Sequence, residues 1–228
     1  MLKEFDDAMR TAADLVANVD RDVRKKLVKV TGREERYTEK FVTLLDERLD
    51  GFSDGGLVWS VATHVSDKQS GQETATGADL FVSVTMDFRG VYVQKGFQAQ
   101  AKINKNKKFG LSVDSKPRLL GQCQTMLSNS DSSFVFAYGE QDTKILSARS
   151  VIEAGNNSLT RLKTQRTEDF YYDFFVCRTG DRDLYAENEV DLQSMVEEMH
   201  YGSAALISVS DAETAPRSRR RTRKRGSE

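Results

Sequence analysis

The chain has 228 residues, 34 basic and 35 acidic, for a formal net charge of −1. With 38% apolar and 30% charged residues it lies outside the disordered class and is long enough for one domain with a real core. No run approaches the ~20 apolar residues that span a bilayer, and Glu4, Asp6 and Asp7 stand where a secretory signal needs an apolar stretch, so the expectation is a cytoplasmic protein without a membrane segment. Cys123, Cys177, His64 and His200 are scattered and give no zinc-ligand spacing. Cys123, among Leu119, Leu120 and Met126, reads as a small buried hydrophobe.

In chain order, residues 2–30 read as one or two helices. Phe5, Met9, Ala12, Ala13, Val16 and Val19 recur at near-helical spacing, and Asp20 could cap a second piece. This opening, residues 1–31, is expected to be a helical extension. After Gly32, a helix over 33–49 places Tyr37, Phe41, Leu44, Leu45 and Leu49 on one face. At 100° per residue Glu34 falls near the centre of that face, Glu35 near its edge and Glu39 toward solvent. The loop 51–56 leads to strand patterns at 57–65, 79–88 and 96–103, with Arg89-Gly90 as a turn. Pro117 marks the first turn of a helix running to about Leu127. Strands follow at 133–138 and 144–150. The aromatic run 170–177 reads as a strand, although its density also permits a helix. A helix over 188–200 and a short strand over 204–209 complete the fold. The order predicts an α/β (α+β) layered domain over 32–211.

The near-zero charge hides an asymmetry. Residues 212–228 hold seven bases and two acids, +5, and the remaining 211 residues hold 27 bases and 33 acids, −6. Such a basic block is expected to be disordered and to contact phosphates, through Arg219, Arg220, Arg221, Arg223, Lys224 and Arg225. Lys105, Lys107 and Lys108 form a second basic run, placed to line a nucleic-acid groove.

The informative stretch is Glu73-Thr-Ala-Thr-Gly-Ala-Asp79, followed by Gln100-Ala-Lys102. Asp79 heads one strand, and Gln100 and Lys102, two residues apart on the next, emerge on one face. A carboxylate and an amide oxygen suit Mg²⁺, which activates water and neutralises phosphate charge, and a nearby ammonium can stabilise the transition state. Trp59 and the aromatics of 170–175 could stack on bases, but core packing is the better reading.

These motifs resemble the PD-(D/E)xK nuclease superfamily, the restriction-endonuclease-like fold. The branch in question occurs in bacterial anti-phage and restriction systems and carries a glutamate, then TGAD, then a QxK strand. The resemblance covers roughly residues 33–150. It implies a mixed central sheet flanked by helices, and a DNA endonuclease dependent on Mg²⁺ (or Mn²⁺). It makes Asp79, Glu73, Gln100 and Glu34 metal ligands and Lys102 the catalytic lysine. It also implies double-stranded DNA as partner, a homodimer, and a defence-system partner protein. Glu35 is the alternative to Glu34, and Gln122 resembles a polar helix residue aimed at the site. Ala78 stands where the signature has proline, and Gln100 where it has an acid. The second departure keeps another expectation open: a catalytically inactive nuclease-like subunit that binds nucleic acid or protein. A third expectation, resting on the arginine block alone, is a tail-tethered RNA-binding or virion-associated protein.

Overall fold

The computed structural model describes residues 2–27, 34–66, 76–103, 116–155 and 157–213. Glu73, Lys105, Lys107, Lys108 and the basic residues from Arg217 onward lie outside the described residues. The elements in chain order are α1 (Asp6–Leu27), α2 (Glu34–Leu49), β1 (Ser53–Asp54), β2 (Leu57–Val65), β3 (Leu80–Phe88), β4 (Val91–Ile103), α3 (Lys116–Asn129), β5 (Ser133–Tyr138), β6 (Thr143–Ser147), α4 (Ala148–Ala154), α5 (Thr167–Phe175), α6 (Glu189–Met199) and β7 (Ser203–Asp211).

The strands form one seven-stranded mixed sheet in the order β1-β2-β7-β3-β4-β5-β6. β3 and β4 are an antiparallel hairpin, with Phe88 opposite Val91. The turn between them needs a positive φ at both central residues, and Arg89 and Gly90 supply φ 44° and 78°. β4 and β5 run parallel, as do β3 and β7. Side chains alternate between two cores. Leu80, Val82, Val84, Phe97, Ala99 and Ala101 pack with α1, α2 and α5 on one face. On the other, Phe81, Val135, Ala137, Ala204 and Leu206 pack with α3, α4 and α6.

Three elements differ from the sequence expectation. The run expected as a strand over 170–177 is helix α5. Phe170, Tyr171, Phe174 and Phe175 recur at i, i+1, i+4 and i+5, are all fully buried, and leave Glu168 and Asp169 in the first turn. The strand expected over 144–150 stops at Ser147, whose hydroxyl accepts from the Ser150 amide and so caps α4. The short strand expected over 204–209 spans Ser203–Asp211 and lies in the middle of the sheet, between β2 and β3. Its Ala204-Ala205-Leu206-Ile207 run is buried on both faces, as a central strand requires.

The N-terminal extension has a specific form. α1 is a single helix whose Met9, Ala12, Ala13, Val16 and Val23 are fully buried in the same core as α2, α5 and the sheet. No helix among the described residues is long and apolar enough to cross a membrane.

Candidate functional site

β3 and β7 begin, and β4 and β5 end, at one end of the sheet, where α2 also starts. Asp79 immediately precedes β3. Its backbone is clamped on both sides: its amide donates to Ala99 O at 2.9 Å and its carbonyl accepts from the Ser203 amide at 2.9 Å. The turn before it is equally constrained. Ala78 N–H donates to Thr76 Oγ1 at 3.3 Å, and Thr76 is buried. Gly77 has φ 72°, and a Cβ there would meet the Gln122 carbonyl oxygen of α3 at 2.7 Å. The glycine of the TGAD segment thus lets α3 pack directly against the turn that carries Asp79.

β4 delivers Gln98, Gln100 and Lys102 to the α3 face of the sheet, opposite Phe97, Ala99 and Ala101. Gln98 is fully engaged: its Nε2 donates to Met126 O and Ser133 Oγ, and its Oε1 accepts from the Tyr201 hydroxyl. Gln100 is different. Its Nε2 donates to Asp79 Oδ2 and to Ala101 O. Its Oε1 is buried and, among the described residues, has no hydrogen-bond partner. Asp79 Oδ2 also accepts from the Ala101 amide at 3.0 Å.

Lys102, 9% exposed, directs its ammonium to Glu34 Oε2 at 3.2 Å, and Glu34 Oε1 accepts from the Ile103 amide at 3.2 Å. The inward facing of Glu34 expected from helix geometry therefore has a structural counterpart. The first turn of α2 lies over the end of β4, and the carboxylate reads both the lysine and the strand's backbone. Cys123 lies on α3 within the field of Lys102. Burial pushes its thiol up to about 12, the lysine's charge offsetting only part of that. Cys123 is fully buried in the α3-side core, as a small hydrophobe would be.

Of the residues expected at the site, the structure brings together Asp79, Gln100, Lys102 and Glu34. Gln122 lies beside them on α3, and its Oε1 too is buried without a hydrogen-bond partner among the described residues. Trp59 and the α5 aromatics are core residues. Among the described residues no group of three or more His, Cys, Asp or Glu side chains is arranged to hold a metal ion. What the described residues offer is one carboxylate, Asp79, and the unsatisfied amide oxygen of Gln100. That donor set fits Mg²⁺, which is commonly held by one or two protein oxygens with water filling the other positions. Glu34, expected as a further metal ligand, is engaged with Lys102 and Ile103.

A second polar cluster adjoins the first. Asp20, 2% exposed, accepts from Arg24 Nε at 3.0 Å, Tyr37 Oη at 2.7 Å, Thr143 Oγ1 at 2.7 Å and Thr167 Oγ1 at 3.2 Å. The Tyr37 ring stacks on Tyr138, the last residue of β5, with centroids 3.7 Å apart. Burial, reinforced by the charge of Asp20, holds the Tyr37 hydroxyl well above the ordinary tyrosine range, so it stays protonated as a donor. Sequence reading takes Asp20 only as a helix cap. The signal for its real position is its place on the apolar stripe, four residues after Val16, with Arg24 one turn further on.

The chain matches no known family model, no curated protein and no solved structure.

Proposed function

We propose that this protein is a metal-dependent DNA endonuclease, hydrolysing phosphodiester bonds at the end of the sheet where β3 begins and β4 ends. The single observation that carries the reading is the buried, unpartnered Gln100 oxygen beside Asp79, on a strand that also delivers Lys102. Native proteins satisfy nearly all buried polar atoms, so an unsatisfied acceptor next to a carboxylate supports a ligand position there. The resemblance of TGAD and QxK to the PD-(D/E)xK superfamily supports the same chemistry.

Asp79 and Gln100 would hold Mg²⁺, or Mn²⁺ in its place, with Glu73 a further ligand on the strength of the resemblance. The bound ion would supply Lewis acidity and a more acidic water. Lys102 places a positive charge where negative charge develops on the scissile phosphate. Glu34 holds that ammonium in place and ties it to the end of β4. The clamp on the Asp79 backbone fixes its carboxylate against β4, so little reorganisation accompanies the reaction. The basic residues Lys105, Lys107 and Lys108, and the arginines and lysine of 219–225, would supply phosphate affinity to an otherwise acidic body. Double-stranded DNA, a homodimer that cuts both strands, and a role with a partner protein in prokaryotic defence follow from the resemblance.

A second reading has its own observation. The Gln100 amide nitrogen lies on Asp79, closing acid and amide on each other, as suits a nuclease-like fold that binds nucleic acid or protein without cutting. Plasmid nicking by the purified chain separates the two. The endonuclease reading requires Mg²⁺- or Mn²⁺-dependent nicking, lost in Asp79→Ala and in Lys102→Ala. Intact DNA binding without cleavage in any divalent metal would overturn it.

A further inference from the structure

We infer that Asp20 and Tyr37 form a positioning pair that sets Glu34 against Lys102 and the end of β4. The consequence for cleavage rests on the endonuclease reading; the geometry does not.

The path is short and continuous. Asp20 is fixed in α1 by four side-chain donors, which come from α1 itself, α2, the start of β6 and the start of α5. A carboxylate so placed has no rotational freedom left. The single Tyr37 hydroxyl proton faces two acceptors of Asp20, the side-chain Oδ1 at 2.7 Å and the backbone carbonyl oxygen at 2.9 Å. The same ring lies flat on Tyr138. Tyr138 is paired in register with Ile103, the residue whose amide donates to Glu34. One turn of helix separates Tyr37 from Glu34, and Thr38 in that turn donates to the Glu34 carbonyl at 3.3 Å. The azimuth of the first turn of α2 is therefore set by Tyr37, and with it the direction in which Glu34 points.

A buried ion pair such as Asp20–Arg24 is a poor device for stability alone, because desolvation of both charges offsets much of their attraction. Its fourfold saturation with donors is instead what a register pin requires. Tyr37 is the arm of that pin that reaches α2, whereas Arg24, Thr143 and Thr167 anchor it to the rest of the fold.

The test compares Tyr37→Phe, which keeps the ring on Tyr138 and removes only the hydroxyl, with Thr167→Val, which removes another donor to Asp20. Amide hydrogen exchange at Ile103 is read against Ala99 and Ala101 on the same strand. A structural role alone would raise exchange at all three in proportion to lost stability, and equally in both variants. The positioning role raises exchange at Ile103 selectively, about ten-fold, in Tyr37→Phe and not in Thr167→Val. If Tyr37→Phe does not accumulate folded, Asp20→Asn is read in the same way. Unchanged relative protection of Ile103, or equal selective loss in both variants, would overturn the inference. Plasmid cleavage turnover at saturating Mg²⁺ is measured alongside, with a fall of about ten-fold expected for Tyr37→Phe. Selective exchange at Ile103 in a chain that never cleaves DNA sinks the endonuclease reading and leaves the positioning pair standing. Cleavage with no selective exchange does the reverse.

Discussion

Asp20 and Asp79 lie at the same end of the sheet, and the fold treats them in opposite ways. Asp20 is buried and saturated by an arginine, a tyrosine and two threonines drawn from four elements. Asp79 is only half-buried, its neighbour Gln100 retains an unsatisfied oxygen, and the ammonium on the same strand is held by a different acid, Glu34. A cluster whose hydrogen bonds all close is built to hold still. The one with a buried oxygen left over is where the proposal places the metal.

Exchanging the two aspartates for alanine should separate these roles most widely. Under the proposed endonuclease function, Asp79→Ala is expected to lower Mg²⁺-dependent DNA cleavage about 10³-fold, while costing only about 1–2 kcal/mol of stability from lost hydrogen bonds. Asp20→Ala strands Arg24 as a buried, uncompensated charge and should cost about 3–5 kcal/mol in urea unfolding. Equal stability losses would erase the distinction.

A third buried polar group sharpens it. Lys95 on β4 is 2% exposed, donates to the carbonyls of Phe174 and Thr179, and lies 4.7 Å over the Phe174 ring. Burial lowers its ammonium from 10.5 to about 8. Below pH 8 both folded and unfolded chains carry the proton, and the burial penalty is felt in full. Between pH 8 and 10.5 the folded lysine loses its proton first, so stability should rise with pH by about 3 kcal/mol. Lys95→Met should flatten that rise between pH 8 and 10.5 in chemical denaturation.

Smaller effects are expected at the turn and the amide. Gly77→Ala puts a Cβ against the α3 backbone at a positive φ, and should cost about 2 kcal/mol and disturb Asp79 along with it. Gln100→Glu puts a carboxylate in place of the amide beside Asp79. If the amide is a metal ligand, Mg²⁺ affinity by calorimetry should rise about ten-fold. If it serves only to bond Asp79, the new like charge should destabilise the fold and bind no metal.

Much of this was legible in sequence wherever a local period decided it. The alternation of β3, the apolar face of α2 and the two-residue spacing of Gln100 and Lys102 predict the elements that carry or adjoin Asp79, Glu34, Gln100 and Lys102. The inward angle of Glu34 followed from 100° per residue alone. Non-local choices were not legible. β7 reads as a short terminal strand, yet Ala204–Ile207 fills the centre of the sheet and braces Asp79 through Ser203. α5 was ambiguous because a dense aromatic run satisfies either period. The Asp20 cluster needs residues 123 and 147 positions away, Thr143 and Thr167, and no window of sequence contains them.

Anomalous diffraction from crystals grown with Mn²⁺ tests the central claim most directly. The expected result is a metal peak bounded by the Asp79 carboxylate and the Gln100 oxygen, with Lys102 still paired to Glu34. A map without metal at saturating Mn²⁺, in which the Gln100 nitrogen remains on Asp79, would contradict it.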